Sequence, residues 1–212
     1  QITLPTLGSG TVVTPAPADI TDLDLANPSG THDRDLAVGN PYSLDFSASG
    51  LAFITGLLTD NVVVLDSVGN WVAEWDLPTG CIPRQILLDA TDQFALVYCD
   101  GLNTVPIYYL SGVPPLLTGT LDLGYDPSPP LVQEGKRIFF DAFQSANNNH
   151  SCATCHDEGR QDLLAWNLSN GELDDKGPMV TQTLVGSNRS RHHHWRGEQL
   201  LDLLDFNDAF VG

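Results

Sequence analysis

Two successive stretches of this chain carry the same punctuation, and that repeat limits its fold more than any other feature. The first holds four short apolar runs, Tyr42–Phe46, Leu51–Thr55, Val62–Asp66 and Trp71–Leu77. Ser47-Ala48-Ser49-Gly50 and Gly69-Asn70 mark turns between them. The second holds Gln85–Leu88, Phe94–Tyr98, Val105–Leu110 and Leu117–Leu123. β-Branched and aromatic residues fill these runs, so they read as strands of about five residues. Pro41 answers to Pro83, Leu51-Ala52 to Phe94-Ala95, Asn61 to Asn103 and Asp76-Leu77 to Asp122-Leu123, an offset of 42 to 46 residues. Four strands per unit at a period of about 40–45 residues is the pattern of propeller blades. A small antiparallel sandwich is the alternative.

A blade buries its faces against neighbouring blades, and a closed propeller needs about 4–8 of them. Two blades leave both end faces open. The expectation is therefore an incomplete propeller, with further blades supplied by a longer polypeptide or another subunit. Gln1 at the start and Phe210-Val211-Gly212 at the end carry no start or stop signal. Residues 1–39, rich in Thr, Pro, Gly and Asp, offer one strand-like run near Ile20–Leu25 and otherwise read as loop.

Asp126-Pro127-Ser128-Pro129-Pro130 forms a rigid linker, because proline fixes φ and disfavours helix before it. The expected boundary puts blades in residues 1–130 and a small, mainly α domain in residues 131–212. Past the linker the apolar period becomes helical, at Leu131, Ile138, Phe139 and Phe143, and again at Leu200–Phe206.

Residues 152–156 read Cys-Ala-Thr-Cys-His. C-x-x-C-H is the attachment signature of c-type haem. Two thiols three positions apart can form thioethers to the two vinyl groups of one porphyrin, and the next residue, His156, can ligate the iron. The competing chemistries fare worse. Zinc wants four Cys or His ligands, yet the remaining cysteines, Cys81 and Cys99, lie among the strands and the only histidine cluster is His192–His194. A thioredoxin-like dithiol wants a βαβ context, which is absent. Covalent haem implies export before maturation. In an oxidising compartment Cys81 and Cys99 could form a disulfide; two buried thiols is the alternative.

The stretch Gly135-Lys-Arg-Ile-Phe-Phe-Asp-Ala-Phe-Gln-Ser, followed by Ser151-Cys-Ala-Thr-Cys-His156, resembles the first haem domain of the di-haem cytochrome c peroxidase and MauG superfamily. Lys176–Leu184 and His194-Trp-Arg-Gly-Glu198 look like later segments of that family. Leu51–Asp66 and Phe94–Leu110 resemble YVTN-type propeller repeats, which precede the haem domain in some relatives. The resemblance implies haem c at Cys152, Cys155 and His156, with Trp195 and Arg196 beside it. The sequence departs from the family in two ways. It holds one C-x-x-C-H where the peroxidases need two, and its arginine after the tryptophan is displaced to Arg196.

Iron in an electron-transfer cytochrome usually takes a second axial ligand, and methionine there raises the potential relative to histidine. Met179, the only methionine, follows His156 by 23 residues. It is one candidate for the metal; His194 is the alternative, with His192 and His193 as weaker members of the same run. Arg189, Arg191 and Arg196 could hold the haem propionates. His150 reads as exposed and His32 as structural. Asp157-Glu158, beside the motif, read as solvated charge.

Lys and Arg number 9 against 27 acids, a net charge of −18. Residues 1–130 hold 15 acids and only two bases, Arg34 and Arg84. Such a surface repels nucleic acid and anionic membranes and suits a cationic redox partner. No apolar run of about 18 residues is present, so no span is expected. Calcium has no loop signature here. The functions in contention are single-electron transfer through one haem, an electron-feeding domain for a catalytic haem elsewhere, and a subunit of an extracellular cytochrome assembly.

Overall fold

A computed structural model describes residues 38–145, 150–166 and 177–187. Its first unit is a four-stranded antiparallel meander of β1 (Pro41–Phe46), β2 (Ala52–Gly56), β3 (Asn61–Leu65) and β4 (Trp71–Asp76). The second repeats it with β5 (Pro83–Leu88), β6 (Phe94–Cys99), β7 (Thr104–Tyr109) and β8 (Leu116–Asp122). Within each unit every strand pairs with its sequence neighbour, as short turns require.

Alternation puts one face of each sheet against the other. Phe53, Val62, Val64 and Trp75 from the first unit meet Ile86, Ala95, Val97 and Tyr108 from the second in one buried core. The Trp75 ring centroid lies 6.2 Å from that of Phe53 and 6.0 Å from that of Tyr108, bridging the two sheets.

The first strands of the two units run side by side. The Ile86 N–H donates to Ser43 Oγ at 3.1 Å, and the Leu88 N–H to Asp45 Oδ2 at 2.8 Å. The Ala48 N–H likewise donates to Asp92 Oδ2 at 2.7 Å. Equivalent strands of successive repeats are therefore neighbours, as in propeller blades. Each sheet is one complete repeat, as propeller blades require.

Among the described residues, the outward faces are exposed. Tyr42, Leu44 and Phe46 on β1 are about half exposed, and every residue of β8 is exposed. This is an incomplete propeller: the described blades have one shared core and two apolar flanks.

Cys81 and Cys99 form a disulfide, both sulfurs fully buried in the shared core. Hairpin pairing makes it possible, because β5 and β6 place Pro83 opposite Cys99. Of the two alternatives left open by the sequence, the structure takes the bond.

After β8 the chain turns through Asp126, whose Oδ1 accepts the Ser128 N–H at 2.8 Å. Helix α1 (Pro130–Phe140) follows, with proline in its first turn where a missing N–H costs nothing. Asp141 then caps a short 3₁₀ turn, Ala142–Gln144, by accepting the Phe143 N–H at 2.9 Å. The fold is mixed, with antiparallel blades first and helices after. No helix among the described residues is long and apolar enough to cross a membrane.

Candidate haem site and its attachment to the blades

The C-x-x-C-H residues sit on a single helical turn. Ser151 begins it with a capping box: its side chain accepts the Ala153 N–H at 3.1 Å, and Thr154 Oγ1 accepts the Ser151 N–H at 2.9 Å. Such a box fixes an N-terminus at two donors together. Helix α2 (Cys152–Cys155) presents both cysteines half-buried and unbridged. Their separation of one turn keeps both sulfurs on one side. Burial pushes both thiols up, and Asp162 and Cys152 push Cys155 up further. This is opposite to the lowered pKa of a redox dithiol.

His156 ends the turn, its N–H donating to the Cys152 carbonyl at 3.0 Å. Its ring Nδ1 lies 3.4 Å from the Arg160 carbonyl. A carbonyl can only accept, so this contact makes Nδ1 the donor and leaves the Nε2 lone pair for a metal. The donor set therefore fits haem c: two free thiols one turn apart and a histidine held in the ligating tautomer. Among the described residues no cluster of three or more His, Cys, Asp or Glu offers a competing metal site.

The loop beyond His156 is held from several directions. Glu158 takes φ = 50°, and the Gly159 and Arg160 N–H groups close turns onto His156 and Asp157. The Leu184 N–H donates to the Gly159 carbonyl at 2.9 Å. Asp162 accepts from Trp166 Nε1 at 2.6 Å. Trp166 pairs with Met179 in a two-stranded ribbon of β9 (Ala165–Trp166) and β10 (Met179–Val180). Met179, half-buried, is thereby tied to the segment that follows the motif. His192, His193, His194, Trp195 and Arg196 lie outside the described residues, as do Arg189, Arg191 and His32. His150 is exposed, as expected.

Asp157 and Glu158 are exposed, as expected of solvated charge, but Glu158 also has a partner. Its carboxylate pairs with Arg84 of β5. The Arg84 guanidinium lies 4.9 Å from the Phe140 ring centroid and 5.3 Å from that of Tyr42, and its Nε bonds Asp100 Oδ2 at 3.1 Å. Asp100 also holds Lys136 Nζ at 2.7 Å. Burial works against the charge on Arg84, but Glu158, Tyr42 and Asp100 outweigh it and raise its pKa. Burial likewise works against Asp100, yet Lys136 and Arg84 hold its carboxyl below the ordinary range. The signal for Arg84 was present in the sequence: it is one of two bases among 15 acids in residues 1–130.

Apolar contacts reinforce this junction. Leu57, Leu58 and Ile82 from the blade loops pack with Phe140, Ala142 and Ala153, joining blades, α1 and α2 in one cluster. The Ala142 N–H donates to the Leu58 carbonyl at 2.9 Å. Ile82 has φ = 51°, an outlier for a β-branched residue. Asp60 over-determines it, accepting the Gly80 and Ile82 N–H groups at 2.6 and 2.7 Å.

Residues 129–202 match the di-haem cytochrome c peroxidase family. The matched segment contains α1, the C-x-x-C-H turn and the Met179 ribbon, and it resembles a c-type haem domain of that family. No curated protein matches the chain. Solved structures similar to it include the virginiamycin B lyase of Staphylococcus aureus, at 19% identity over 36% of this chain and 25% of that one, TM-score 0.32. Another is the periplasmic gluconolactonase of Pseudomonas aeruginosa, at 20% identity over 43% and 28%, TM-score 0.38. A streptogramin B lyase gives 24% identity over 35% and 24%, TM-score 0.32. The chain spans about a quarter of the length of these proteins.

Proposed function

We propose that this chain is part of an exported c-type cytochrome that carries single electrons through one haem c, bound through Cys152, Cys155 and His156. One observation carries the reading: two unbridged thiols one turn apart precede a histidine whose Nδ1 is engaged by the Arg160 carbonyl. When attached, haem supplies a one-electron couple whose potential follows axial ligation and burial. The chain's own residues do the rest. Cys152 and Cys155 would anchor the haem, His156 would ligate its iron, and Met179 or His194 would supply a second ligand. Trp195 and Arg196 would bind the group, as the family resemblance implies. The division falls at residues 130/131, with YVTN-type blades before it.

The buried Cys81–Cys99 bond supports export, since such bonds persist in periplasmic or extracellular compartments. The acidic blades suit a cationic redox partner. Their open flanks suit further blades, from the same polypeptide or another subunit.

A second reading is favoured by the family match: the domain feeds electrons to a catalytic haem outside this sequence, which holds one C-x-x-C-H where the matched family is described as di-haem.

The test is expression in a bacterial periplasm with the cytochrome c maturation machinery, followed by intact mass after acid extraction. The proposal expects a mass gain of one haem that resists extraction, and its loss in the Cys152→Ala/Cys155→Ala variant. Unmodified polypeptide, or stoichiometric zinc, would overturn it.

A further inference from the structure

We propose that Arg84, a residue of the blades, is a positioning residue for His156 and holds the haem-ligating loop through Glu158. The inference rests on the function proposed above. Arg84 and Glu158 are 74 residues apart in sequence, yet their side chains meet two residues past the ligating histidine. Every atom group around Arg84 restricts it. Its guanidinium carbon lies over the Tyr42 and Phe140 rings, Asp100 takes its Nε, and the side chain is only 14% exposed. A planar fork held this way presents its remaining donors in one direction. Glu158 needs such a partner. It sits in left-handed backbone, which non-glycine residues adopt at a cost. Its neighbours Gly159 and Arg160 supply the turn to the His156 carbonyl and the oxygen facing His156 Nδ1. Fixing Glu158 therefore fixes the imidazole's hydrogen-bond partner. Through this pair the blades set the orientation of the iron ligand and place a fixed charge couple beside it.

The experiment uses the haem-loaded protein and four variants: Arg84→Gln, Arg84→Lys, Glu158→Gln and the double Arg84→Gln/Glu158→Gln. Covalent haem content is measured first, then the ferric-to-ferrous ratio at one fixed ambient potential, and the hyperfine-shifted His156 ring resonances by NMR. Losing Arg84 leaves an unpaired carboxylate, so Arg84→Gln should raise the ferric-to-ferrous ratio by roughly fivefold, the scale of one partly screened charge. Glu158→Gln should lower it. The double variant restores neutrality, so its ratio should return to within about twofold of wild type, as expected for coupled neighbours. Its ring resonances should remain displaced, because the positioning contact is gone. Arg84→Lys should keep the ratio but displace the resonances. Wild-type ring resonances in Arg84→Gln and Glu158→Gln, or ratio changes of the same sign in both, would overturn the inference. Should Arg84→Gln not fold, Glu158→Gln, at a side chain 52% exposed, decides alone. A wild-type protein without haem would sink the proposed function, and this inference with it; haem-loaded variants with unmoved resonances sink this inference only.

Discussion

Cys81 and Cys99 are bonded across the base of the β5–β6 hairpin, inside the core that the two blades share. The bond closes a loop with a sequence separation of 18 residues. Chain-entropy arguments give a loop of this size about 3 kcal/mol of stabilisation. The Cys81→Ala/Cys99→Ala variant should lose about that much in urea unfolding, and reducing agent should shift the wild-type midpoint the same way.

Trp75 is the aromatic hub of the same core, 5% exposed, and its indole Nε1 has no hydrogen-bond partner among the described residues. Trp75→Ala should cost about 3–5 kcal/mol through the cavity it leaves. Trp75→Phe keeps ring contact with Phe53 and Tyr108 and removes the unpaired donor, whose burial carries its own cost of about 1–3 kcal/mol. It should therefore cost well under half of the alanine change in the same urea titration.

Acid should weaken the blades at Asp89 and Asp100. Hydrogen bonds from Thr91 and the Phe94 N–H hold Asp89 down to about 2, and Asp100 is lowered by Lys136 and Arg84 against its burial. A carboxyl depressed in the folded state adds stability above its unfolded value of about 3.9, and loses it as pH falls through the folded value. Thermal midpoints followed by circular dichroism should be flat from neutrality to about pH 5 and fall between about pH 4 and pH 2. Asp100→Asn should be less stable at neutral pH and show a shallower acid slope.

The sixth ligand is read from spectra. Met179→Ala should abolish the methionine-to-iron charge-transfer band at the red edge of the ferric visible spectrum and lower the potential, since methionine ligation raises it. His194→Ala should leave that band intact. Absence of that band from a low-spin ferric wild-type spectrum would assign His194.

The repeat was legible because each blade is local. Its strands pair with sequence neighbours, and the offset read from Leu51 and Phe94 reappears in the bonds from Ile86 to Ser43 and from Leu88 to Asp45, each 43 residues apart. The motif at Cys152–His156 was equally local. The Cys81–Cys99 bond was legible as one of two alternatives, and hairpin register decides it by making the two cysteines neighbours. The Arg84–Glu158 pair was missed because it forms at longer range. No spacing rule links a strand residue to a loop 74 positions later, and a carboxylate beside a haem motif looks solvated until its partner is folded onto it.

Ala48, Ser43 and Asp45 all bond to the opposite blade, so neither sheet can open without stripping hydrogen bonds from its twin. Amide exchange in the two should accordingly rise as a single unit. Damage at Val62 or Ala95 would be felt on both sides of the seam, and through Leu58 and Phe140 at the cysteine turn beyond it.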